Sequence, residues 1–296
     1  YTASKIESCA PPGTGAAPET FDGGFWYGSF HVGLSTNLSL LIDTGSSDLA
    51  VNPDRYKASS ASVNLHQRGV LLYDTVYENG CGFANISYSV FNDTIHFANL
   101  TVPIQTFASV KPTPAPDNST VTQFPHDGIA GLGASNRSRL HATPFFHRLC
   151  EQGTIKECRF GLALKRDGTG LQVVGEVDET LFSGPPTAQV MKLFDAAGIQ
   201  AVNLSLPGCT KVLTGYYQCD NPPAVDFGLS TGSEGFFSIE ATAFKQAVNG
   251  GNNCTATVAG IDTFNMWIIG QSWFQGKYVD FDVTGKRIGV AQLKDK

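Results

Sequence analysis

Short runs of β-branched and aromatic residues, each bounded by glycine, proline, asparagine, aspartate or serine, recur along the whole chain. Such runs are typical of strands closed by turns, because these side chains pack well on a pleated sheet. Helical periodicity is confined to three short segments, at 144–152, 189–197 and 241–247. The chain is therefore predicted to be mostly β with a few short helices. The clearest strand candidates are 26–32, 38–42, 70–76, 86–91, 94–97, 159–164, 171–174, 236–239 and 278–281.

The composition narrows the possible functions of this chain. Its 296 residues are 42% hydrophobic and only 16% charged, which is enough apolar material for a core or two and excludes disorder as the main state. The longest apolar stretches, at 38–42 and 266–269, are far shorter than the roughly 20 residues of a membrane helix. The net charge of −6 and the scattered Lys and Arg provide no surface for a phosphate backbone. We therefore expect a soluble protein without a nucleic-acid or membrane partner.

Asn-x-Ser/Thr sequons are unusually frequent. Eight occur, where about two or three would arise by chance from this composition. This enrichment predicts a secreted glycoprotein, with a vacuolar location as the alternative. No signal-peptide pattern is present at Tyr1, so we expect a processed form. The candidate glycosylation sites are Asn37, Asn85, Asn92, Asn99, Asn118, Asn136, Asn203 and Asn253.

The seven cysteines also fit an oxidising compartment. The preferred disulfides join Cys150 to Cys158 and Cys219 to Cys254. Neither spacing resembles the paired C-x₂-C units of a zinc site, so we expect no metal and no other cofactor. An odd number remains among the other three, so either one thiol is free or its partner is missing from the chain. The pairing of these three is left open, and they are Cys9, Cys81 and Cys209.

The run LLIDTGSSD at 40–48 places three apolar residues directly before an acid, a hydroxyl and a glycine. The apolar residues predict a buried strand, and the glycine allows a tight turn at its end. A lone D-T-G is a weak signal that often marks an ordinary turn. Here Ser-Ser follows it, and a hydrophobic pair with a glycine at Gly131 lies 88 residues after Asp43. A similar element ends at Gly270, which hints at two related halves.

With these residues the chain resembles the pepsin-like aspartic proteases, particularly the secreted fungal ones, over nearly its whole length. The resemblance implies a bilobal, mostly β fold and a monomer. It also implies an N-terminal lobe at 1–167, with the first catalytic loop and flap, and a shortened C-terminal lobe at 168–296. The landmarks are an opening strand at 25–32, D-T-G-S at 43–46, a flap turn at 77–80, D-G-I-A-G-L-G at 127–133, G-E-V-D-E-T-L-F-S-G at 175–184 and W-I-I-G-Q at 267–271.

The resemblance implies an acid endopeptidase that cleaves polypeptides between bulky apolar residues and is inhibited by pepstatin-like peptides. Two aspartates held side by side share one proton in such enzymes, because like charges a few Å apart cannot both ionise. Together they activate water and protonate the carbonyl oxygen. By resemblance, Asp43 is one of the pair. Thr44 braces its loop, Gly45 allows the turn, and Ser46 donates to the outer carboxylate oxygen.

The resemblance also assigns a flap to this chain. Tyr77 would cover the substrate, and Gly80 would complete the flap turn. The alternative for Tyr77 is an ordinary half-buried strand aromatic, since Cys81 and Gly82 follow where the family more often has a small polar residue.

The family's second D-T-G or D-S-G is missing from this sequence. The 88-residue spacing, projected back from Gly270, reaches Phe182, which belongs to a segment already assigned by the resemblance. In the family, two strands and the second aspartate normally follow this segment before a G-P and a covering helix, whereas here Gly184-Pro185-Pro186 leads at once into a stretch at 187–198 that is similar to that helix. The resemblance therefore implies that roughly thirty to forty residues are absent between about Leu181 and Pro186. A natural deletion or alternative splice, a gene-model error, and a disordered stretch left out of the sequence are the competing explanations.

The missing acid opens alternative functions. A single carboxylate has no proton-sharing partner and cannot act as acid and base together. The main alternative is therefore a catalytically inactive protease-like protein that binds peptides in the retained cleft. A homodimer that supplies one Asp43 from each chain is a third hypothesis.

Overall fold

The computed structural model describes residues 13–77, 80–113, 121–165, 167–187, 200–204, 212–222, 226–228, 236–238, 245–247, 252–256, 260–261, 270–285 and 287–294. Strands dominate these residues, so the mostly β prediction is confirmed. The strands are β1 (Gly15–Asp22), β2 (Phe25–Val32), β3 (Ser35–Asp43), β4 (Leu49–Val51), β5 (Val63–Tyr77), β6 (Gly80–Phe97), β7 (Leu100–Val110), β8 (Gly128–Gly131), β9 (Arg159–Leu164), β10 (Thr169–Val174), β11 (Phe182–Thr187), β12 (Gln200–Leu204), β13 (Val212–Gln218), β14 (Asp226–Gly228), β15 (Phe236–Ser238), β16 (Lys245–Ala247), β17 (Asn253–Ala256), β18 (Gly260–Ile261), β19 (Lys277–Asp282) and β20 (Arg287–Leu293). The α-helices are α1 (Phe145–Glu151) and α2 (Gln271–Phe274), and Ser135–Arg137 form a 3₁₀ turn.

Thirteen of these strands form one sheet in the order β11-β20-β19-β9-β10-β1-β2-β3-β8-β4-β7-β6-β5. Strands β12, β13, β16, β17 and β18 form a second sheet, and β14 pairs with β15. The predicted lobe boundary at 167/168 falls between β9 and β10, which are hydrogen-bonded neighbours in the large sheet. The position of the boundary between the two lobes stays a prediction.

Strand β3 is buried on both faces, as its apolar run predicts. Leu40 and Ile42 pack into one hydrophobic cluster with Phe30, whereas Leu41 packs into a second cluster with Ile86. Apolar packing on both sides fixes the register of the strand, because a slip of one residue would exchange its two faces. Its carboxyl end is thereby held in one position.

The predicted helix at 144–152 is confirmed as α1. Its Phe145, Phe146 and Leu149 are buried in the same cluster as β3, at 3% exposure or less. The disulfide between Cys150 and Cys158 ties the end of this helix to the residue just before β9.

Two strand predictions, 86–91 and 94–97, prove to be one continuous strand, β6. Two separate strands imply a break at the Asn92-Asp93 pair between them, but Asp93 is buried instead. Its carboxylate accepts hydrogen bonds from the Tyr56 hydroxyl at 2.7 Å and from the Ser59 backbone at 2.9 Å. The strand therefore continues with a register shift at this position.

The helix predicted at 241–247 is wrong where the structure describes it. Residues 245–247 form strand β16, which pairs antiparallel with β17 through Gln246 and Thr255 among others. Pairing with a neighbouring strand has overridden the local helical periodicity. The helix predicted at 189–197 lies outside the described residues.

Candidate active site

Asp43 lies at the carboxyl end of β3, where the chain leaves the sheet. Strand β8 runs parallel to β3, with Asp43 in register with Gly131. The Leu132 N–H then donates to the Asp43 carbonyl at 2.8 Å. The D-T-G and the hydrophobic-hydrophobic-Gly element are therefore adjacent in space, although 88 residues separate them in the chain.

The loop after β3 presents the Asp43 side chain and fixes its direction. Asp43 is half-buried, and its Oδ1 accepts the backbone N–H of Gly45 at 2.8 Å. Thr44 lines the same cavity as Asp43. The predicted bond from Ser46 is absent, since its buried hydroxyl has no hydrogen-bond partner among the described residues. The Gly45 N–H makes the contact to the carboxylate that was expected of Ser46.

Asp48 connects the loop after β3 to the segment that follows β8. The sequence argument did not single out this residue. This buried carboxylate accepts the Ser138 hydroxyl at 2.6 Å and the Arg139 N–H at 2.7 Å. Glycine at Gly131 allows the close approach of the two segments, because a Cβ there would lie 2.6 Å from the Asp48 nitrogen. The sequence signal that could have identified Asp48 as a loop-holding residue is its position three residues after the D-T-G.

A second brace connects the D-G-I element to the strands around the loop. The Asp127 carboxylate accepts the Ser39 N–H at 2.9 Å and pairs with Arg55 at 3.0 Å. The buried Asn52 amide donates to the carbonyls of Phe124 and His126 at 2.7 and 2.9 Å. The Asp127 contacts explain why an aspartate opens this element. The glycine that follows is required because a Cβ at Gly128 would lie 2.1 Å from the Ala50 carbonyl oxygen.

A cavity of about 340 Å³ lies beside Asp43. Most of its wall is apolar, and its polar groups come from the Asp43 loop, Glu19 and Gln271. Gly270, the end of the W-I-I-G element, also lines this cavity. The structure therefore brings the D-T-G loop and the end of the W-I-I-G element to the same cavity. The described lining consists of Glu19, Gly24, Phe25, Trp26, Ile42, Asp43, Thr44, Gly45, Leu162, Leu164, Gly270, Gln271 and Phe274.

Glu19 is the least expected member of this lining. It lies in β1 between Gly28 of β2 and Gly170 of β10, and only 1% of the residue is exposed. Neither carboxyl oxygen has a hydrogen-bond partner among the described residues, and burial raises the pKa of Glu19 to about 8. Sequence reasoning missed it because a charged residue in a strand ordinarily predicts a solvent-facing position.

Tyr77 and Gly80 are paired across the β5–β6 hairpin, at the position predicted for the flap. The orientation of the Tyr77 side chain lies outside the described part of the chain. Tyr73, on the same strand, is half-buried against Phe124, with ring centroids 5.2 Å apart. Burial, and next the Asp43 charge, raise the pKa of Tyr73. Tyr73 therefore lies within electrostatic range of Asp43.

Both predicted disulfides, Cys150–Cys158 and Cys219–Cys254, are present. The predicted sites Asn37, Asn85, Asn99, Asn136 and Asn253 are exposed, and Asn92 is half-buried. Asn118, the Asn203 side chain, Cys9, Cys209 and the Cys81 side chain lie outside the described residues.

Phe182, where the spacing pointed to an acid, lies in β11. This strand pairs with β20 at one end of the large sheet, and six strands separate it from β3 in the sheet order. Phe182 is therefore not the neighbour of Asp43 within this sheet.

No group of three or more His, Cys, Asp or Glu side chains is arranged to hold a metal ion in the described ranges. Within the same ranges, no helix is long and apolar enough to cross a membrane.

Comparison with protein families gives a match over most of the chain. The model of the family described as eukaryotic aspartyl protease matches residues 25–205 and 186–293. The two matched segments overlap at 186–205, next to the place where the sequence predicts missing residues.

Individual relatives match at low identity but over long stretches. An aspartic protease from Phaffia rhodozyma is 25% identical over an alignment of 337 residues that covers 94% of this chain and 79% of the relative. Chymosin from Camelus dromedarius is 23% identical, with 90% and 80% covered, and pepsin A from Sus scrofa is 22% identical, with 90% and 81% covered. Since 94% of 296 residues is about 278, the first alignment includes about 60 positions without a counterpart here.

Proposed function

Because the chain belongs to the eukaryotic aspartyl protease family, we propose that it is an acid-acting endopeptidase with Asp43 as a catalytic carboxylate. The observation that carries this proposal is the placement of Asp43. It is half-buried at the end of β3, it lines a cavity of about 340 Å³, and its Oδ1 is fixed by the Gly45 N–H. A carboxylate so placed can take a proton from the water molecule that attacks a peptide carbonyl.

The substrate in this proposal is a polypeptide with bulky apolar side chains near the scissile bond. The apolar cavity wall, which includes Phe25, Trp26 and Phe274, supports this choice. Tyr77 and Gly80 act as the flap over the bound chain. No cofactor takes part.

Peptide binding without turnover is the second candidate function. It is favoured by one observation, the absence of a second D-T-G or D-S-G from the sequence. In that case the cleft still binds pepstatin-like peptides, but no proton-sharing pair of aspartates is available to cleave them.

Hydrolysis of denatured casein at pH 3–5, with and without pepstatin, separates the two functions. The endopeptidase proposal expects pepstatin-sensitive cleavage that is lost in Asp43→Asn and retained in the exposed control Asp54→Asn. Saturable pepstatin binding without cleavage would instead support the binding function. Absence of both results would reject both functions.

We further propose that the protein is a secreted monomeric glycoprotein, with a vacuolar location as the alternative. The exposure of five predicted sites, among them Asn85 and Asn99, supports this view. A fall in intact mass after enzymatic removal of N-glycans tests the modification, and sedimentation of a single 31.6 kDa chain plus glycan tests the monomer.

A further inference from the structure

Glu19 is a buried carboxyl that the proposed chemistry does not yet use. It is 1% exposed, and neither oxygen has a hydrogen-bond partner among the described residues. Removing a carboxyl from water without replacing its hydrogen bonds costs several kcal/mol, so such groups are rare and are often functional. The position therefore requires an explanation beyond packing.

The surroundings of Glu19 favour its neutral form. Trp26 and Leu164 contribute the apolar wall beside it, and no Lys, Arg or His contributes to the described lining of the cavity. Without a cationic partner, burial keeps the carboxyl protonated. Glu19 thus remains a carboxylic acid, with a proton to donate, across the acid and neutral range.

Asp43 lines the same cavity in a contrasting environment. It is half-exposed to solvent, and its Oδ1 accepts the backbone N–H of Gly45. Two carboxyls in one cavity, one in apolar and one in polar surroundings, are the arrangement that assigns an acid and a base. The cavity is thus lined by a candidate acid, Glu19 of β1, and a candidate base, Asp43 of the loop after β3.

We propose that Glu19 is the proton-donating partner of Asp43 and takes the place of the aspartate from the missing second D-T-G or D-S-G. This inference rests on the proposed endopeptidase function. Both Glu19 oxygens are closed to solvent in the substrate-free protein, so a bound substrate must displace the side chains around them before the Glu19 hydroxyl can donate to its carbonyl oxygen. Glu19 then acts as a catalytic residue.

The two groups complete a balanced hydrolysis. Asp43 takes a proton from water while the water oxygen bonds to the carbonyl carbon, and the carbonyl oxygen takes the Glu19 proton to give a gem-diol. Protonated Asp43 then donates to the amide nitrogen as the C–N bond breaks. One gem-diol hydroxyl returns its proton to Glu19, which leaves a carboxylic acid, an amine and the starting enzyme.

Steady-state hydrolysis of casein at pH 4 by Glu19→Gln tests the inference. Glutamine is nearly isosteric with the neutral acid but cannot transfer a proton, so kcat is expected to fall by about 10²- to 10⁴-fold with KM changed by less than about threefold. Glu19→Asp, which keeps a carboxyl, should retain more activity than Glu19→Gln. In the wild type, kcat should fall at high pH as Glu19 loses its proton. The residual kcat of Glu19→Gln should not show this fall.

Gln172→Leu is the matched control. Gln172 is equally buried on the adjacent strand β10, with an unpartnered amide oxygen, but it is outside the described lining of the cavity. Its activity should stay within about threefold of wild type, and thermal unfolding at pH 4 should show that Glu19→Gln is folded. Wild-type kcat in Glu19→Gln, with activity lost in Asp43→Asn, would overturn the inference and leave the proposed function standing. Activity indifferent to Asp43→Asn would overturn both.

Discussion

The Asp48 carboxylate accepts a hydrogen bond of 2.6 Å from the hydroxyl of Ser138, which lies 90 residues later in the chain. The same carboxylate also accepts the Arg139 N–H at 2.7 Å. These bonds tie the loop that carries Asp43 to the segment that follows β8. The position of the candidate catalytic carboxylate thus depends on a buried acid outside the D-T-G itself.

Asp48→Asn should destabilise the fold by about 1–3 kcal/mol, because the amide nitrogen must face a donor where a carboxylate oxygen accepted one. Urea unfolding at constant pH measures this difference. The exposed Asp54→Asn is the control and should change the unfolding free energy by less than about 0.5 kcal/mol. Equal effects of the two substitutions would contradict the role of Asp48.

Gly131→Ala should destabilise by about 1–3 kcal/mol and lower any activity that depends on Asp43. The added Cβ would lie 2.6 Å from the Asp48 nitrogen and 2.7 Å from the Ser47 backbone, so the loop must move. Thermal unfolding of Gly270→Ala provides the comparison, since a Cβ at that position meets no described atom within 4 Å. An unchanged unfolding temperature in Gly131→Ala would show that the two segments can separate freely.

Glu19 should make the protein more stable in acid. Its pKa rises from 4.5 to about 8 on folding, so between these values the folded state holds a proton that the unfolded state has lost. The Glu19 contribution is fully present below about pH 4.5 and is lost as the pH rises through about 8. Linkage gives a loss of up to about 5 kcal/mol.

The measurement is the difference in unfolding free energy between wild type and Glu19→Gln at pH 4, 6 and 8.5. The wild type should lose stability relative to the variant as the pH rises, because glutamine cannot ionise. Parallel pH profiles would mean that Glu19 is ionised in the folded protein or exposed to water.

Arg159→Ala should destabilise by about 3–5 kcal/mol, because it leaves the buried Asp280 carboxylate without its partner. Arg159 Nη2 lies 2.8 Å from Asp280 Oδ2, and the aspartate side chain is only 3% exposed. Arg287, which pairs with Asp282 but is 61% exposed, provides the matched control. Arg287→Ala should cost less than about 1 kcal/mol in the same urea titration, and a similar cost for both would refute the distinction.

Local sequence signals predicted eight of the twenty described strands and helix α1, because alternation and apolar runs reflect contacts that neighbouring residues share. They failed where a distant contact decided the outcome. The sequence pattern indicates a strand end before Asp93. Its carboxylate instead accepts hydrogen bonds from Tyr56 and Ser59, more than thirty residues earlier, and the strand continues through it. Residues 245–247 are extended because β17 pairs with them.

The sequence by itself determined the family, the Asp43 loop and the lack of a second D-T-G or D-S-G, since each is written in consecutive residues or in simple spacings. It favoured the two disulfides that the structure then confirmed. Only the tertiary structure decided that Glu19 is buried and shares a cavity with Asp43. The physical reason is that every glutamate carboxyl is solvated in the unfolded chain, where its environment and its pKa do not differ from those of other glutamates. Its burial, and with it the shift of its pKa, arises only when strands β1, β2 and β10 close around it.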